Sequence, residues 1–317
     1  MAGTHGTKAI IAAFLANFGI AIMKFVAYVF TGSGAMLAEG IHSVADAGNQ
    51  LLLLLGGRRA RRAPTPSHPF GYGRERYFWA FVVALVLFSL GSAFSIYEGI
   101  NKIRHPHEVE SPIWAFAVLG IAIVLELFSF RTAIQESRPL KGDASWWSFI
   151  RHSRIPELPV VLLEDLGALL GLVFALIAVS LTVATDDTIW DAVGTLMIGG
   201  LLGIIAIILA WEMKSLLIGE SATVAKQKHI EEAISGRPSV RRLLHMRTEH
   251  IGPEELLIGA KIEFDAALSM GQLAAAVNDV EDAVRAAVPE ARIMYLEPDI
   301  AASAEAAPAT APTASAH

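Results

Sequence analysis

The sequence predicts an all-α polytopic membrane domain of six transmembrane helices followed by a small α+β domain, and three observations predict it. The chain of 317 residues is 54% apolar and only 18% charged, where an average soluble protein carries about 25% charged residues. Its mean hydropathy of +0.49 is too high for a disordered chain or an ordinary soluble enzyme. Charge is also unevenly spread. Residues 1–218 hold 16 Lys/Arg and 16 Asp/Glu, whereas residues 219–317 hold 9 and 15. The long apolar runs stop where the acidic excess begins. The chain has no cysteine, which excludes disulfide scaffolds and thiolate metal sites. A net charge of −6 gives no electrostatic basis for nucleic-acid binding.

A spanning helix needs about 20 mostly apolar residues. Six stretches meet that need, roughly 8–30, 33–56, 77–103, 112–134, 157–183 and 188–211. The first lacks a basic leader and a small-residue cleavage site, so it reads as a span and not as a signal peptide. Orientation follows from Lys and Arg in the short loops. The loop after the second span carries Arg58, Arg59, Arg61, Arg62, Arg74 and Arg76, and the loop after the fourth carries Arg138, Lys141, Arg151 and Arg154. The alternate loops hold no Lys or Arg, although Lys102 and Arg104 flank one of them. The basic loops and both termini are therefore expected in the cytoplasm. Trp146 and Trp147 beside Arg151 predict a loop lying partly on the membrane surface.

Residues 219–300 read as helix, strand, strand, helix, strand. Val224–Ser235 is expected as a helix, Val240–His250 and Leu256–Phe264 as strands about a turn at Gly252-Pro253, and Arg292–Leu296 as a last strand. Leu273, Val277, Val280 and Val284 recur at helical spacing within Met270–Val288. Residues 301–317 are rich in Ala, Pro, Thr and Ser and have little to bury, so disorder is expected there.

Ionisable groups at membrane depth are costly and are functional candidates by default. The second span offers Glu39, His42 and Asp46, and the fifth offers Glu164 and Asp165. His42 and Asp46 are four apart and share a helix face. Asp165 lies eight residues past Glu157, about 12 Å along a helix and well inside the bilayer. Imidazole nitrogen and carboxylate oxygen are ordinary zinc ligands. Binding requires those groups to lose their protons, so metal entry displaces protons. The same pairs also have a plainer reading as hydrogen-bonded ties between helices. Glu126 is expected to pair locally toward Arg131, Glu98 to be solvated near the outer face, and Lys24 to snorkel outward.

Three segments carry a family resemblance. The run Gly32-Ser-Gly-Ala-Met-Leu-Ala-Glu39-Gly-Ile-His42-Ser-Val-Ala-Asp46 resembles the second span of the cation diffusion facilitators. His68-Pro-Phe-Gly71-Tyr-Gly73-Arg-Glu75-Arg resembles their loop into the third span, and Val161-Leu-Leu-Glu164-Asp165-Leu-Gly-Ala is similar to the branch containing the mitochondrial zinc transporters of animals. The resemblance implies a homodimer of six-helix protomers with a ferredoxin-like cytoplasmic domain. It implies export of zinc, or of manganese, iron or cobalt, in exchange for protons, with no resident cofactor and no enzymatic step. The implied ligands are His42, Asp46 and Asp165. Val161 stands where the family places a fourth, and Glu164 is the expected replacement. That gap also favours an alternative, a scaffold of the same fold that moves no ion.

In the accessory positions His68 stands alone as a loop histidine, with Tyr72 at a second family position. The soluble-domain metal positions hold Leu244, Ala274, Lys261 and Tyr295, leaving Glu297. His245 and His250 are expected on opposite faces of their strand. Dimerisation is therefore the expected task of this domain. With no transit segment ahead of the first span, the expected location is a bacterial inner membrane.

Overall fold

Helix α1 (Thr7–Thr31) and helix α2 (Gly34–Ala60) open the chain in a computed structural model and pack against each other across a two-residue link. The structure describes the backbone of residues 6–31, 34–105 and 112–299, and within these every side chain except those of 31–39, 41, 42 and 112. The tail at 301–317 lies outside the described residues.

The third span is built in three pieces: α3 (Glu75–Val86), a π-helical stretch Leu87–Ala93, and α4 (Phe94–Arg104). Two glycines on a later helix, α8 (Ile189–Ile218), make room for this stretch. A Cβ on Gly199 would stand 2.9 Å from the Ile96 nitrogen, and one on Gly203 would stand 2.7 Å from Ser92 Oγ. Small residues four apart are a usual device for close helix approach in membranes.

Helix α5 (Pro112–Lys141) follows, then the short α6 (Trp146–His152), then α7 (Glu157–Thr185) before α8. Ser145 caps α6 by accepting from the Ser148 amide at 3.1 Å. Asp186 ends α7 in the left-handed region at φ 55°, and Asp187 Oδ1 then accepts from the Ile189 amide at 2.9 Å to start α8. Within the bundle α5 packs on α1 and α7, and α7 packs on α8.

Among the described residues five helical stretches are long and apolar enough to cross a membrane: Thr7–Phe30, Glu75–Arg104, Ile113–Lys141, Glu157–Thr185 and Ile189–Ile218. The six expected spans are thus five by this measure, and α2 is the exception. Length is not its obstacle, since 27 residues rise about 40 Å. Its polar set, including Asp46, Asn49 and Gln50, lowers its apolarity. In α2 polarity faces inward: Ser43, Asn49 and Gln50 are buried, while Val44 and Leu51 are exposed.

The chain divides into two compact units, one running to Ile218 and taking in Gly252–Glu254, the other made of the remaining residues from Gly219. The second holds α9 (Val224–Ser235), β1 (Val240–Gly252), β2 (Glu255–Phe264), α10 (Met270–Ala287) and β3 (Ala291–Asp299). Its sheet order is β1-β2-β3, and β2 pairs parallel with β3 from Leu256↔Ala291 to Glu263↔Asp299. Crossover through α10 is what parallel pairing requires. One sheet face supplies Leu256, Ile258 and Ile262, which pack with Ile230 and Ile234 of α9 and Val280 and Val284 of α10. The helical spacing foreseen in α10 is therefore a core stripe.

Candidate metal centre

The first nine residues of α7, Glu157 to Asp165, are buried on every side. A helix buried all round is normally apolar, so three carboxylates in this stretch need partners. Glu157 takes the Arg76 guanidinium in a two-pronged pair, Nε to Oε1 at 2.5 Å and Nη2 to Oε2 at 2.7 Å, joining the start of α7 to the start of α3. Glu164 accepts one amide hydrogen on each oxygen, from Asn49 Nδ2 and Gln50 Nε2, both at 2.9 Å. Asp165, 1% exposed, accepts from Ser129 Oγ of α5 at 2.7 Å.

The expected ligands are thereby distributed over two helices, α2 and α7, that Asn49 and Gln50 join at Glu164. Asp46 is partly buried on α2, in electrostatic reach of Glu164. His42 lies one helical turn earlier on α2, and its side chain, like that of Glu39, is outside the described residues. Val161 is fully buried in the apolar core one turn before Asp165 and offers no donor atom. Among the described residues no three His, Asp or Glu side chains converge closely enough to hold a metal ion as they stand.

Two expectations need correction. Glu126 does not pair with Arg131. Arg131 is exposed, while Glu126 is 2% exposed, and its Oε2 accepts no hydrogen bond. It turns inward because it lies on the buried stripe of α5 formed by Val118, Ala122, Glu126, Ser129 and Ala133. Lys24 does not snorkel: its ammonium donates to Ser43 Oγ of α2 at 2.9 Å. The bundle offers the ammonium polar partners, so it need not seek the interface.

Sequence reading passed over Asn49, Gln50 and Ser129. The signal was present: polar side chains inside an apolar run face protein.

The accessory positions are occupied by other interactions. The His68 ring packs on Tyr72 with centroids 4.6 Å apart, and Tyr72 Oη lies 3.2 Å from His68 Nδ1. On the sheet, Lys261 Nζ reaches Glu297 Oε1 at 3.4 Å and Asp299 Oδ2 at 2.9 Å. Hydrogen bonds that the ammonium donates to Asp299 and then to Glu297 raise the Lys261 pKa above its ordinary value. An ammonium therefore already serves the one surviving oxygen ligand. His245 is exposed and His250 buried, as alternation along β1 requires.

Apolar helices enclosing carboxylates that hydroxyl and amide donors hold in place define a class: a multi-pass membrane protein suited to handling cations. The family follows from comparison. Residues 10–218 match the cation efflux transmembrane domain, and the chain belongs to the cation diffusion facilitator family. It is 34% identical over 245 residues to the mitochondrial proton-coupled zinc antiporter SLC30A9 of Mus musculus, covering 76% of this chain and 43% of that protein. Metal tolerance protein C4 of Arabidopsis thaliana is 31% identical over 265 residues, 82% of this chain and 58% of that one. Zinc transporter ZitB of Pectobacterium atrosepticum is 26% identical over 255 residues, 79% and 74% of the two chains. The chain spans less than half the length of the animal relatives it matches. The family consists of transporters and not enzymes.

Proposed function

We propose that this protein carries a divalent metal ion, zinc first, across a membrane in exchange for protons. The observation that carries this reading is Asp165, buried in the bundle and held by Ser129 with Glu164 beside it and Asp46 on the facing helix. His42, Asp46 and Asp165 bind the ion, and Glu164 sits at the edge of the group. Each ligand loses its proton to take the metal, and protons from the opposite side reload the ligands after release. Histidine is the residue type in this set whose unperturbed charge change lies nearest neutral pH, and His42 acts as the proton-sensitive member. The relatives named as zinc transporters or zinc antiporters support the choice of cargo. Manganese, cobalt and ferrous iron are the competing cargoes, since nitrogen and oxygen ligands serve them also. The chain works as a homodimer through its second unit, in an inner membrane, with both termini cytoplasmic.

The test is metal uptake into proteoliposomes under a proton gradient, with zinc, manganese, cobalt and ferrous iron, for wild type and Asp165→Ala. Flux follows the gradient in wild type and collapses in the variant. Val161 favours a second reading, a scaffold of the same fold. Absence of flux for every metal, with protein shown to be folded and inserted, decides for it.

A further inference from the structure

Val161 leaves the ion-binding group one ligand short, and the rest of α7 does not make up the loss. Both oxygens of Glu164 already accept amide hydrogens from α2. The carboxylate nearest to being unused lies on another helix. Glu126 of α5 is 2% exposed, and its Oε2 has no hydrogen-bond partner. Leaving a buried carboxylate oxygen without a donor is costly. Glu126 also shares the buried stripe of α5 with Ser129, which reaches Asp165. It lies within electrostatic reach of Asp165, Asp46 and Glu164, and of the Lys24 ammonium. On α2, the two residues that hold Glu164 also have oxygens short of donors, Asn49 Oδ1 and Gln50 Oε1 being buried without partners. Surplus acceptors in a dry interior call for a cation.

We propose that Glu126 supplies the ligand that Val161 cannot, so that the transported dication is held by α2, α5 and α7 together. This rests on the transport reading above. Without the ion the carboxyl groups stand apart, and the ion displaces their protons and draws them into coordinating distance when it binds.

The test is zinc binding to the full chain in detergent, by competition with a chromophoric zinc indicator. Wild type, Asp165→Asn, Glu126→Gln and the double variant Glu126→Gln with Val161→Asp are compared. Loss of a ligand costs at least the roughly tenfold seen for second-shell partners, so Glu126→Gln weakens binding by about that or more. Adding Val161→Asp restores it. Normal binding by Glu126→Gln, with binding lost in Asp165→Asn, overturns the role of Glu126 and leaves the transport reading standing. Binding that Asp165→Asn does not change removes the transport reading and this proposal with it. Carbodiimide labelling of wild type, read by mass spectrometry, needs no variant to fold: zinc protects Glu126 together with Asp165. Protection of Asp165 alone overturns the proposal.

Discussion

Ser129 shows how one small side chain sets the state of a larger group. Its hydroxyl is the donor to Asp165, at 2.7 Å and fully buried. Removing that donor leaves the carboxylate in place but free to turn, and outer-shell losses of this kind cost about 10–100-fold in metal affinity. Ser129→Ala is therefore expected to raise the KM for zinc flux by about tenfold and to lower stability in thermal unfolding by about 1–3 kcal/mol, the cost of a buried acceptor left without its donor. An unchanged KM means that Asp165 is oriented by its own helix packing. Asp165 was legible in the sequence as a buried acid, because a carboxylate deep in an apolar run is too costly to keep unless it binds or pairs with something. Ser129 was not, since a serine in a membrane helix is common and its partner is 36 residues away. Glu126 was misread for a related reason. Arg131 is close to it in sequence, but at five positions on it points away around the helix.

At the scale of elements, α7 depends on its first turn. The Arg76–Glu157 pair is buried at Glu157 and largely shielded at Arg76, with side chains 4% and 14% exposed, and it ties α7 to α3. Two turns further along the same helix come Glu164 and Asp165, so the pair also fixes the height and rotation of the acids. Breaking a buried, two-pronged ion pair by removing one partner costs about 3–5 kcal/mol, because the remaining charge stays in a dry site. Glu157→Ala should lower stability by about that much in thermal unfolding of the detergent-solubilised protein. The double variant Arg76→Met with Glu157→Leu should lose less than Glu157→Ala alone. A single-variant loss within about 0.5 kcal/mol means water reaches the pair and it does not anchor α7. The helices themselves were legible from apolar runs, and the order of the second unit from alternating and helical spacings. The π-helical stretch was not legible, and the close approach of its Ser92 to Gly199 and Gly203 of α8 exists only once the helices meet.

For the whole molecule the open point is how many times the chain crosses the bilayer, and α2 decides it. Among the described residues apolarity alone admits five helices, and α2 is not one of them. That criterion asks whether a helix is comfortable in lipid on every face, which α2 need not be. Its buried polar residues meet protein: Asn49 and Gln50 hold Glu164, and Ser43 accepts from Lys24. Its exposed positions Val44 and Leu51 suit lipid. Its connection to α1 is also too short for an alternative, since only residues 32 and 33 separate two helices that pack together. The chain must turn back at once and run beside α1 at the same depth. Six crossings are therefore expected, and an even number returns the chain to the side on which it began. Reporters of sidedness fused at the N-terminus and after Asp299 should report the same side, that of Arg58, Arg59, Arg61 and Arg62, as the clustering of positive charge requires. Reporters on opposite sides mean that α2 does not cross. Asp46 and Asp165 then cannot share a membrane-embedded site, and the exchange reading loses its physical basis.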